Sequence, residues 1–284
     1  MSIILQNVSY SYGIGQSDEK QALSHIDLEI GKDEVIALVG QTGSGKSTLF
    51  EVLNGLEKAT EGSIYCDGED IYNKDFSMKT LHSKVGLVFQ YPEHQLFEST
   101  VIKDVQFGPE NMGWDKLKIE MNSFQALKDV GISDELLDVS PLVLSGGQKR
   151  RVAIAGVLAM EPEYLILDEP MAGLDPRGRE EIFKLLLEIQ AKRHMTILFS
   201  SHSMEDVARY AKRMLVMHNG KIVLDGSPAK IFRYRKELKK IGLEVPKAVS
   251  ILQALGERGL PVRTDLLTPE EAAREIHRVL SEEK

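Results

Sequence analysis

Apolar and polar positions alternate in the first part of the chain, and continuous apolar runs follow further along. Residues 2–12 alternate loosely and residues 22–30 clearly, which predicts two antiparallel strands of a half-exposed sheet. Further apolar runs predict strands at residues 34–39, 84–90, 164–168 and 195–200. Since helical periodicity alternates with these strands, we expect a mostly parallel α/β sheet beside an antiparallel N-terminal part.

Two more local patterns complete this picture of the core. Residues 213–217 and 221–225 flank the dipeptide Asn219-Gly220, a strong signal for a hairpin. Residues 91–141 lack strand patterns and show helical periodicity instead, which indicates a helical insertion in the α/β domain.

The stretch from residue 226 onward differs again, because prolines punctuate short helical patterns there. Its end, residues 268–280, has the pattern of a capped amphipathic helix. Residues 229–240 are strongly basic, which either a solvated helix face or a contact with a partner or membrane headgroups would explain. We therefore expect a domain at 1–225, with a helical subdomain inserted at about 91–160, and a C-terminal extension at 226–284.

Composition and charge narrow the function classes. The 284 residues include 43 acidic and 35 basic ones, and a net charge of -8 argues against broad nucleic-acid binding, which needs a basic surface. The single cysteine, Cys66, excludes an internal disulfide framework and is typical of a reducing cytosol. No apolar run reaches about 18 residues and no signal-peptide pattern opens the chain, so we expect a cytoplasmic protein without a membrane span.

A glycine-rich segment between a predicted strand and a predicted helix points to phosphate binding. It matches G-x-x-x-x-G-K-[ST] with Gly40, Gln41, Thr42, Gly43, Ser44, Gly45, Lys46 and Ser47, and Thr48 follows. Glycines let successive N–H groups point into one concavity, and the helix N-terminus makes that concavity attractive to phosphate. Lys46 would reach the β- and γ-phosphates of a nucleotide, and Ser47 would ligate Mg²⁺. A turn that binds nothing is the alternative, and the complete match argues against it.

A second loop precedes a predicted helix that begins near Gln148. Ser145, Gly146 and Gly147 offer backbone N–H groups and a hydroxyl to a second phosphate. A helix cap alone would also explain these residues.

The second loop resembles the LSGGQ signature of ATP-binding cassette (ABC) ATPases, which residues 144–148 match without a departure. The other motifs of that family follow the same order along this chain. Residues 165–169 resemble the Walker B strand with its following glutamate, and residues 172–175 resemble the D-loop. Gln90 matches the Q-loop glutamine, and His202 matches the switch histidine.

This resemblance covers roughly residues 1–225 and implies a fold class. It is that of the P-loop NTPases, here an ABC ATPase: an α/β core with a parallel sheet, an antiparallel N-terminal β-subdomain, an inserted α-helical subdomain and a small C-terminal helical extension.

The resemblance also implies roles for individual residues. Asp168, at the carboxyl end of a parallel strand, would hold Mg²⁺ next to Ser47. Gln90 would sense the γ-phosphate through Mg²⁺ and water. Glu169 would accept a proton from the attacking water or polarise it, whereas an exposed acid at a strand end is its plainer interpretation. His202 would bind the γ-phosphate or its water, although a lone histidine there is more often a packing residue.

Other implied roles concern adenine and a second subunit. Tyr12 resembles the aromatic residue that stacks on adenine, with Tyr10 as the second candidate. The signature residues act in trans in this family, because two subunits meet head to tail and each covers the other's ATP. The trans group comprises Ser145, Gly146, Gly147 and Gln148, and the D-loop residue Asp175 joins the nucleotide-binding set.

Spacing separates the kinds of ABC protein. The interval between Gln90 and Ser145 holds a compact insertion and leaves no room for the long coiled coil of repair ATPases. One phosphate loop and one signature are present, whereas ribosome-associated types usually carry two cassettes. A transporter motor is therefore favoured, with a soluble repair or ribosome-associated ATPase, or another ABC transporter class, as alternatives.

Three segments resemble the ATPases of energy-coupling factor (ECF) transporters, and particularly the second of their two paralogues: residues 89–97, 151–162 and 172–179. Met171 stands where most ABC ATPases have threonine or serine, and this position has no role in binding phosphate. The resemblance implies an ATPase at the cytoplasmic face of the cell membrane that uses ATP and Mg²⁺ to import a vitamin or transition-metal ion. It implies three partners: a second ABC ATPase, more often a paralogue than a copy, a transmembrane coupling subunit and a substrate-binding membrane protein. The C-terminal extension would help to hold the ATPase pair together.

Overall fold

In the computed structural model, residues 2–282 are described and form two compact units. The first unit consists of the residues up to Glu34 together with Ser47–Ser200. The second consists of Val35–Lys46 together with the residues from Ser201 onward. No helix within the described residues is both long enough and apolar enough to cross a membrane.

The regular elements alternate much as the sequence pattern predicts. The strands are β1 (Ile3–Tyr12), β2 (Lys20–Ile30), β3 (Val35–Val39), β4 (Glu61–Cys66), β5 (Glu69–Asp70), β6 (Val85–Val88), β7 (Tyr164–Leu167), β8 (Thr196–Ser200), β9 (Arg213–His218) and β10 (Lys221–Gly226). The α-helices are α1 (Lys46–Asn54), α2 (Met78–Lys84), α3 (Val101–Met112), α4 (Lys116–Asp129), α5 (Gly146–Leu158), α6 (Pro176–Arg193), α7 (Met204–Tyr210), α8 (Pro228–Ile231), α9 (Arg235–Lys240), α10 (Lys247–Glu257) and α11 (Pro269–Glu282).

An antiparallel sheet with the strand order β2-β1-β4-β5 forms the N-terminal part of the first unit. Ile3 of β1 pairs with Ile30 on one side and with Cys66 on the other, and all three side chains are buried. The turn Asp67-Gly68 joins β4 to β5 with φ angles of 56° and 87°. Both values are positive, as a tight hairpin turn of the I′ type requires, so the Asp-Gly pair fits its position.

Parallel strands β6, β7 and β8 lie side by side in the same unit. Every residue of β7 and β8 is buried, in agreement with their apolar sequences. Leu167, the last residue of β7, pairs with Val88 of β6 and with Phe199 of β8. The residues that follow these strands therefore meet at one edge of the sheet, the edge where open α/β sheets bind ligands.

Between β6 and β7 the described chain is helical, which confirms the predicted change from strand to helical patterns. It contains α3, α4 and α5 and three short 3-10 helices, at Pro92–His94, Asp134–Leu136 and Pro141–Val143. Helix α5 begins at Gly146, two residues before the predicted start, because the Ser145 side chain already caps the helix there. The bounds of an inserted subdomain stay a prediction.

In the second unit, β3 pairs in parallel with β9, and β9 pairs antiparallel with β10. The hairpin turns at Asn219 and Gly220 with φ angles of 48° and 73°, as the dipeptide predicts.

Helices α8 to α11 follow in that unit. Helix α11 has the predicted capping box, in which Thr268 Oγ1 accepts from the Glu271 N–H at 3.3 Å and Glu271 Oε2 accepts from the Thr268 N–H at 3.0 Å. Ala248, Leu252 and Ala272 form a small core between α10 and α11. The basic side chains of residues 229–240 are mostly exposed, and several of them line a groove of about 900 Å³.

Candidate functional site

Three oxygen-bearing side chains meet at the carboxyl edge of the parallel strands in the first unit. The Ser47 hydroxyl donates to Oδ2 of Asp168 at 2.6 Å, and the Ser200 hydroxyl donates to Oδ1 of the same carboxylate at 2.6 Å. Asp168 follows the end of β7, and Ser200 ends β8, so the parallel register places them side by side. Hydroxyl and carboxylate oxygens are the ligands that Mg²⁺ prefers. Ser47 and Asp168 are predicted at this place from the sequence, whereas Ser200 is not.

Glu169 is held next to this cluster by two bonds. Its N–H donates to Oγ of Ser200 at 2.7 Å, and its Oε2 accepts from Nε2 of Gln90 at 2.9 Å. Its φ angle of 47° lies in the left-handed region, which is uncommon for a side chain with a Cβ. A residue in this conformation turns the chain sharply, so consecutive carboxylates need not point the same way. The predicted base and the predicted sensor of the γ-phosphate are thus in direct contact.

The phosphate loop in the second unit has the backbone that its glycines predict. Gly43 and Gly45 have φ angles of 79° and 105°, which favour glycine. A Cβ on Gly40 would lie 2.4 Å from the carbonyl oxygen of Met217, so no larger residue fits there. The buried ammonium of Lys46 donates to the carbonyl oxygens of Gly40 at 2.8 Å and of Gln41 at 3.1 Å.

A hydroxyl in the same loop supports a ligand-binding role. Ser44 is 5 % exposed, and its Oγ has no hydrogen-bond partner among the described residues. Buried hydroxyls are normally paired, so an orphaned one inside a phosphate-binding motif fits a site that accepts an oxyanion.

His202 lies in the second unit, where it lines a cavity with the phosphate loop. The cavity has a volume of about 680 Å³, and its wall also contains Gln41, Thr42 and residues 242–247. The imidazole is exposed. It therefore stands where a polar ligand could reach it, in contrast to the packing role that a lone histidine usually has.

The two candidate adenine-binding tyrosines differ in exposure. The Tyr12 side chain is 42 % exposed, and its hydroxyl is 2.9 Å from Oγ1 of Thr48. Burial, with Glu51 close by, raises the pKa of the Tyr12 phenol, so the ring stays neutral in a physiological buffer. Tyr10 is 8 % exposed and donates to Glu57. Of the two tyrosines, Tyr12 is therefore the one that a ligand can reach.

The signature residues cap α5 in the first unit. Oγ of Ser145 accepts from the Gln148 N–H at 3.3 Å, and Oε1 of Gln148 accepts from the Ser145 N–H at 2.9 Å. These residues therefore do form a helix cap. However, a Cβ on Gly146 or Gly147 would meet nothing within 4 Å, so packing within the chain does not call for these exposed glycines.

Asp175 caps α6 in a similar way. Its Oδ1 accepts from the Gly178 N–H at 2.7 Å, and the residue is exposed at the start of the helix. The D-loop aspartate and the signature serine thus both sit at exposed N-termini of helices in the first unit.

One polar residue that the sequence analysis missed lies just behind the signature. Arg150, on α5, is 2 % exposed and bonds to Glu93 and to the carbonyl oxygens of Pro170 and Ala172. The run of cations at 149–151 was a signal, but only the structure distinguishes the buried one.

Three features together define an ABC-type ATPase: a complete phosphate loop, the bond between Ser47 and Asp168, and a helix capped by the LSGGQ motif. The comparisons with known proteins agree. Residues 23–172 match the family described as ABC transporter.

The chain is 50% identical over 280 residues, 99% of its length and 98% of its relative's, to the energy-coupling factor transporter ATP-binding protein EcfA2 of Caldanaerobacter subterraneus subsp. tengcongensis. A solved structure of cbiO1 from Clostridium perfringens, part of the ABC transporter complex cbiONQ, is 41% identical and superposes with a TM-score of 0.72 over 84% of this chain and 93% of that one. The ATP-binding cassette MJ0796, solved as a dimer with ADP and Pi, is 28% identical with a TM-score of 0.68 over 80% of this chain and 98% of that one. The chain therefore belongs to the ABC transporter family, among the ATP-binding proteins of energy-coupling factor transporters, and it is an ATPase.

Proposed function

We propose that this chain is the motor subunit of an ECF-type importer and hydrolyses MgATP at the cytoplasmic face of the membrane to drive uptake of a vitamin or a transition-metal ion. The observation that carries the proposal is the bonded set Ser47, Asp168, Ser200 and Glu169, because Ser47 follows Lys46 of the phosphate loop directly in the chain. A phosphate loop that served only to begin a helix would not require an aspartate bonded to its serine and a glutamate next to that aspartate.

The residues present fit a magnesium ion and a triphosphate. Ser47 and Asp168 offer a hydroxyl and a carboxylate, and Gln90 adds an amide oxygen, so every proposed ligand is a hard oxygen. Lys46 and the loop N–H groups of residues 40–45 would hold the phosphates, and Tyr12 the adenine. Bound magnesium would neutralise charge on the phosphate oxygens.

Glu169 and His202 supply the groups that act on water and on the γ-phosphate. The Glu169 carboxylate accepts a hydrogen bond from Gln90, and this arrangement suits a base that holds and orients a water. We assign His202 to the γ-phosphate or its water. Phosphoryl transfer to water depends mainly on positioning and charge stabilisation, and several side chains of this site would share these tasks.

A second ATPase subunit would complete the site. Ser145, Gly146, Gly147 and Gln148 are exposed or half-buried at the start of α5, and Asp175 is exposed at the start of α6. We propose that these residues cover the ATP of the partner subunit, with a paralogue rather than a copy as that partner. The dimeric cassette MJ0796 is a relative in which two subunits assemble.

The remaining partners are membrane proteins. We propose that the helical subdomain at about 91–160 docks a transmembrane coupling subunit, which pairs with a substrate-binding membrane protein, and that the extension at 226–284 helps to hold the ATPase pair. Phe97 and Phe107 in the insertion support this, since their ring centroids lie 4.9 Å apart in an edge-to-face contact and the two residues are 63 % and 41 % exposed.

One experiment tests the proposal as a whole. The tagged chain is purified from detergent-solubilised membranes of its own cells, and the co-eluting proteins are identified by mass spectrometry. A paralogous ATPase and two membrane proteins in stoichiometric amounts are expected, together with ATP hydrolysis that depends on magnesium. Recovery of the chain in the soluble fraction, with ribosomes or with DNA-repair proteins, would refute the transporter assignment.

A further inference from the structure

A buried cation stands on the signature helix without a role in the site described above. Arg150 lies on α5, five positions after Ser145, and is 2 % exposed. Burial of an unpaired guanidinium is strongly unfavourable, so the chain keeps such a group only where several acceptors surround it. The acceptors around Arg150 show what it connects.

Glu93 receives two of its bonds. Nε of Arg150 donates to Oε2 at 3.1 Å, and Nη2 donates to Oε1 at 2.8 Å, which is the bidentate geometry of a strong ion pair. Burial raises the pKa of the Glu93 carboxyl, but the bonds from Arg150 outweigh this and keep the pKa below its usual value. Glu93 lies in the 3-10 helix Pro92–His94, three positions after Gln90.

The other bonds go to the segment behind Glu169. Nη1 of Arg150 donates to the carbonyl oxygen of Pro170 at 3.0 Å, and Nη2 donates to that of Ala172 at 3.0 Å. Pro170 follows Glu169 directly, and Ala172 opens the segment that ends at Asp175. One guanidinium therefore ties the signature helix to both loops that carry the reacting groups.

These contacts close a ring. The side chains of Gln90 and Glu169 are hydrogen-bonded to each other. The backbone leads from Gln90 to Glu93 and from Glu169 to Pro170, and Arg150 bonds to both Glu93 and Pro170, which completes the ring. Tyr91 and Glu169 have left-handed φ angles of 54° and 47°. Such backbone conformations persist where surrounding bonds hold them, and Arg150 supplies bonds to the segments that follow both residues.

We propose that Arg150 is a positioning residue that couples the Gln90–Glu169 pair to the signature of the same subunit. A displacement of that pair by bound MgATP moves Glu93 and Pro170, and the buried guanidinium passes the displacement to α5 and to its N-terminal residues Ser145–Gln148. Each subunit thus presents its signature to the partner's ATP only when its own site is filled. This inference rests on the proposed function of Gln90, Glu169 and the signature.

Arg150→Gln tests the coupling, with Arg151→Gln as the matched control. Arg151 is the next residue of α5, but its guanidinium bonds to the carbonyl oxygen of Val130 and to Glu181, outside the ring. In steady-state assays of the complex, Arg150→Gln is expected to lower kcat at least about tenfold with KM changed less than about threefold, and Arg151→Gln to keep kcat within about threefold.

Amide hydrogen exchange distinguishes coupling from mere structural support. The full chain is measured as a monomer, confirmed by light scattering, with and without magnesium and a non-hydrolysable ATP analogue. In the parent, the analogue is expected to change the exchange of residues 88–93 and also of 145–150. In Arg150→Gln the first change persists and the second is lost, whereas Arg151→Gln retains both.

Two results would overturn the coupling. One is a parent whose residues 145–150 do not respond to a bound analogue, and the other is an Arg150→Gln variant whose residues still do. If Arg150→Gln does not fold, Glu93→Ala replaces it, because this variant removes both acceptor oxygens of Glu93 and keeps Arg150 with its two carbonyl bonds. An undiminished response of residues 145–150 in that variant refutes the role of the ring. Failure of the parent to bind the analogue at all would instead refute the proposed function, and this inference with it.

Discussion

Gln90 and Glu169 are joined through their side chains, with Nε2 of the amide 2.9 Å from Oε2 of the carboxylate. Gln90 follows β6, where the chain leaves the parallel strands for the helical insertion, and Glu169 follows β7. A movement of the insertion would therefore shift the Glu169 carboxylate, to which we assign the activation of the attacking water. In the proposed function, this contact links nucleotide hydrolysis to the docking of a membrane subunit on the insertion.

Replacement of Glu169 by glutamine should abolish turnover and preserve ATP binding. Glutamine keeps the size of the side chain and can still bond to Gln90, but it cannot accept a proton from water. We expect kcat to fall by about 10²-fold or more. An ATP-dependent dimer should accumulate, because hydrolysis no longer separates the subunits, and size-exclusion chromatography with ATP would detect it.

Glu188→Gln is the control for this substitution, since Glu188 is an exposed glutamate of α6. It should retain the parent's kcat. Normal turnover by Glu169→Gln would show that another group activates the water.

Substitution of Lys46 by alanine should weaken nucleotide binding. In the structure the ammonium is buried and held by the carbonyl oxygens of Gly40 and Gln41, so it is already positioned inside the loop. Loss of a charge-assisted bond to phosphate weakens binding by about 1.5–3 kcal/mol, or roughly 10- to 150-fold in affinity. Titration with a fluorescent ATP analogue measures this, with exposed Lys74→Ala as the control. An unchanged affinity would contradict the phosphate-loop role of Lys46.

Much of the fold was predictable because its signals are local. The alternation in residues 22–30, the apolar run in 164–168 and the dipeptide Asn219-Gly220 each determine an element through neighbours in sequence, and the structure has all three elements. The phosphate loop and the signature were predictable for the same reason, since each is a contiguous segment.

The contacts between distant segments were not predictable from one sequence. Ser200 bonds to Asp168 across 32 positions, and Arg150 bonds to Glu93 across 57. Each partner alone has a common explanation, a polar strand end or a solvated charge. Only the parallel register and the packing of α5 bring them together, so no local pattern distinguishes them from their neighbours.

Gly40→Ala should destabilise the protein and its phosphate loop. The new Cβ would lie 2.4 Å from the carbonyl oxygen of Met217 and 2.5 Å from Oγ of Ser44, and the first of these is backbone that cannot swing away. Overpacking of this kind costs about 1–3 kcal/mol. Thermal unfolding followed by circular dichroism should show a lower Tm.

Gly226→Ala provides the comparison within the second unit. A Cβ there meets only Ile231 at 3.9 Å, an ordinary contact, and the glycine has no positive φ angle. Its Tm should stay close to that of the parent. Equal Tm values for both variants would mean that the loop relaxes around Gly40 more easily than the structure implies.

Cys66 should be inert towards thiol reagents in the folded protein. It is 2 % exposed in β4, and burial, together with nearby Asp67, raises the pKa of its thiol to about 11. Very little thiolate, the reactive form, exists at neutral pH. A colorimetric thiol reagent should release no colour from the native chain and one equivalent after denaturant is added. Fast reaction of the native chain would show that β4 opens readily.

An ion-pair cluster fastens the helices of the insertion to α6. Asp129, at the end of α4, has a side chain that is 4 % exposed and accepts from Nη2 of Arg193 at 2.7 Å and from Nζ of Lys192 at 2.6 Å. Nη1 of Arg193 also donates to the carbonyl oxygen of Leu158 at the end of α5, at 2.8 Å. Three helix ends thus share one buried carboxylate and one guanidinium.

Asp129→Asn should destabilise the protein near neutral pH and much less in acid. Burial raises the pKa of Asp129, but the bonds from Lys192, Arg193 and Gln125 outweigh it and hold the folded pKa below the ordinary value of about 3.9. The stabilisation is therefore complete above that value and is lost as the pH falls through the lower folded pKa, where the carboxylate is protonated. Breaking a buried pair costs about 3–5 kcal/mol, so we expect a large loss of unfolding free energy at neutral pH. Urea denaturation of parent and variant across an acidic pH series measures the gap, which should narrow steadily below about pH 4. A gap that is independent of pH would mean that Asp129 acts through its shape and hydrogen bonds rather than its charge.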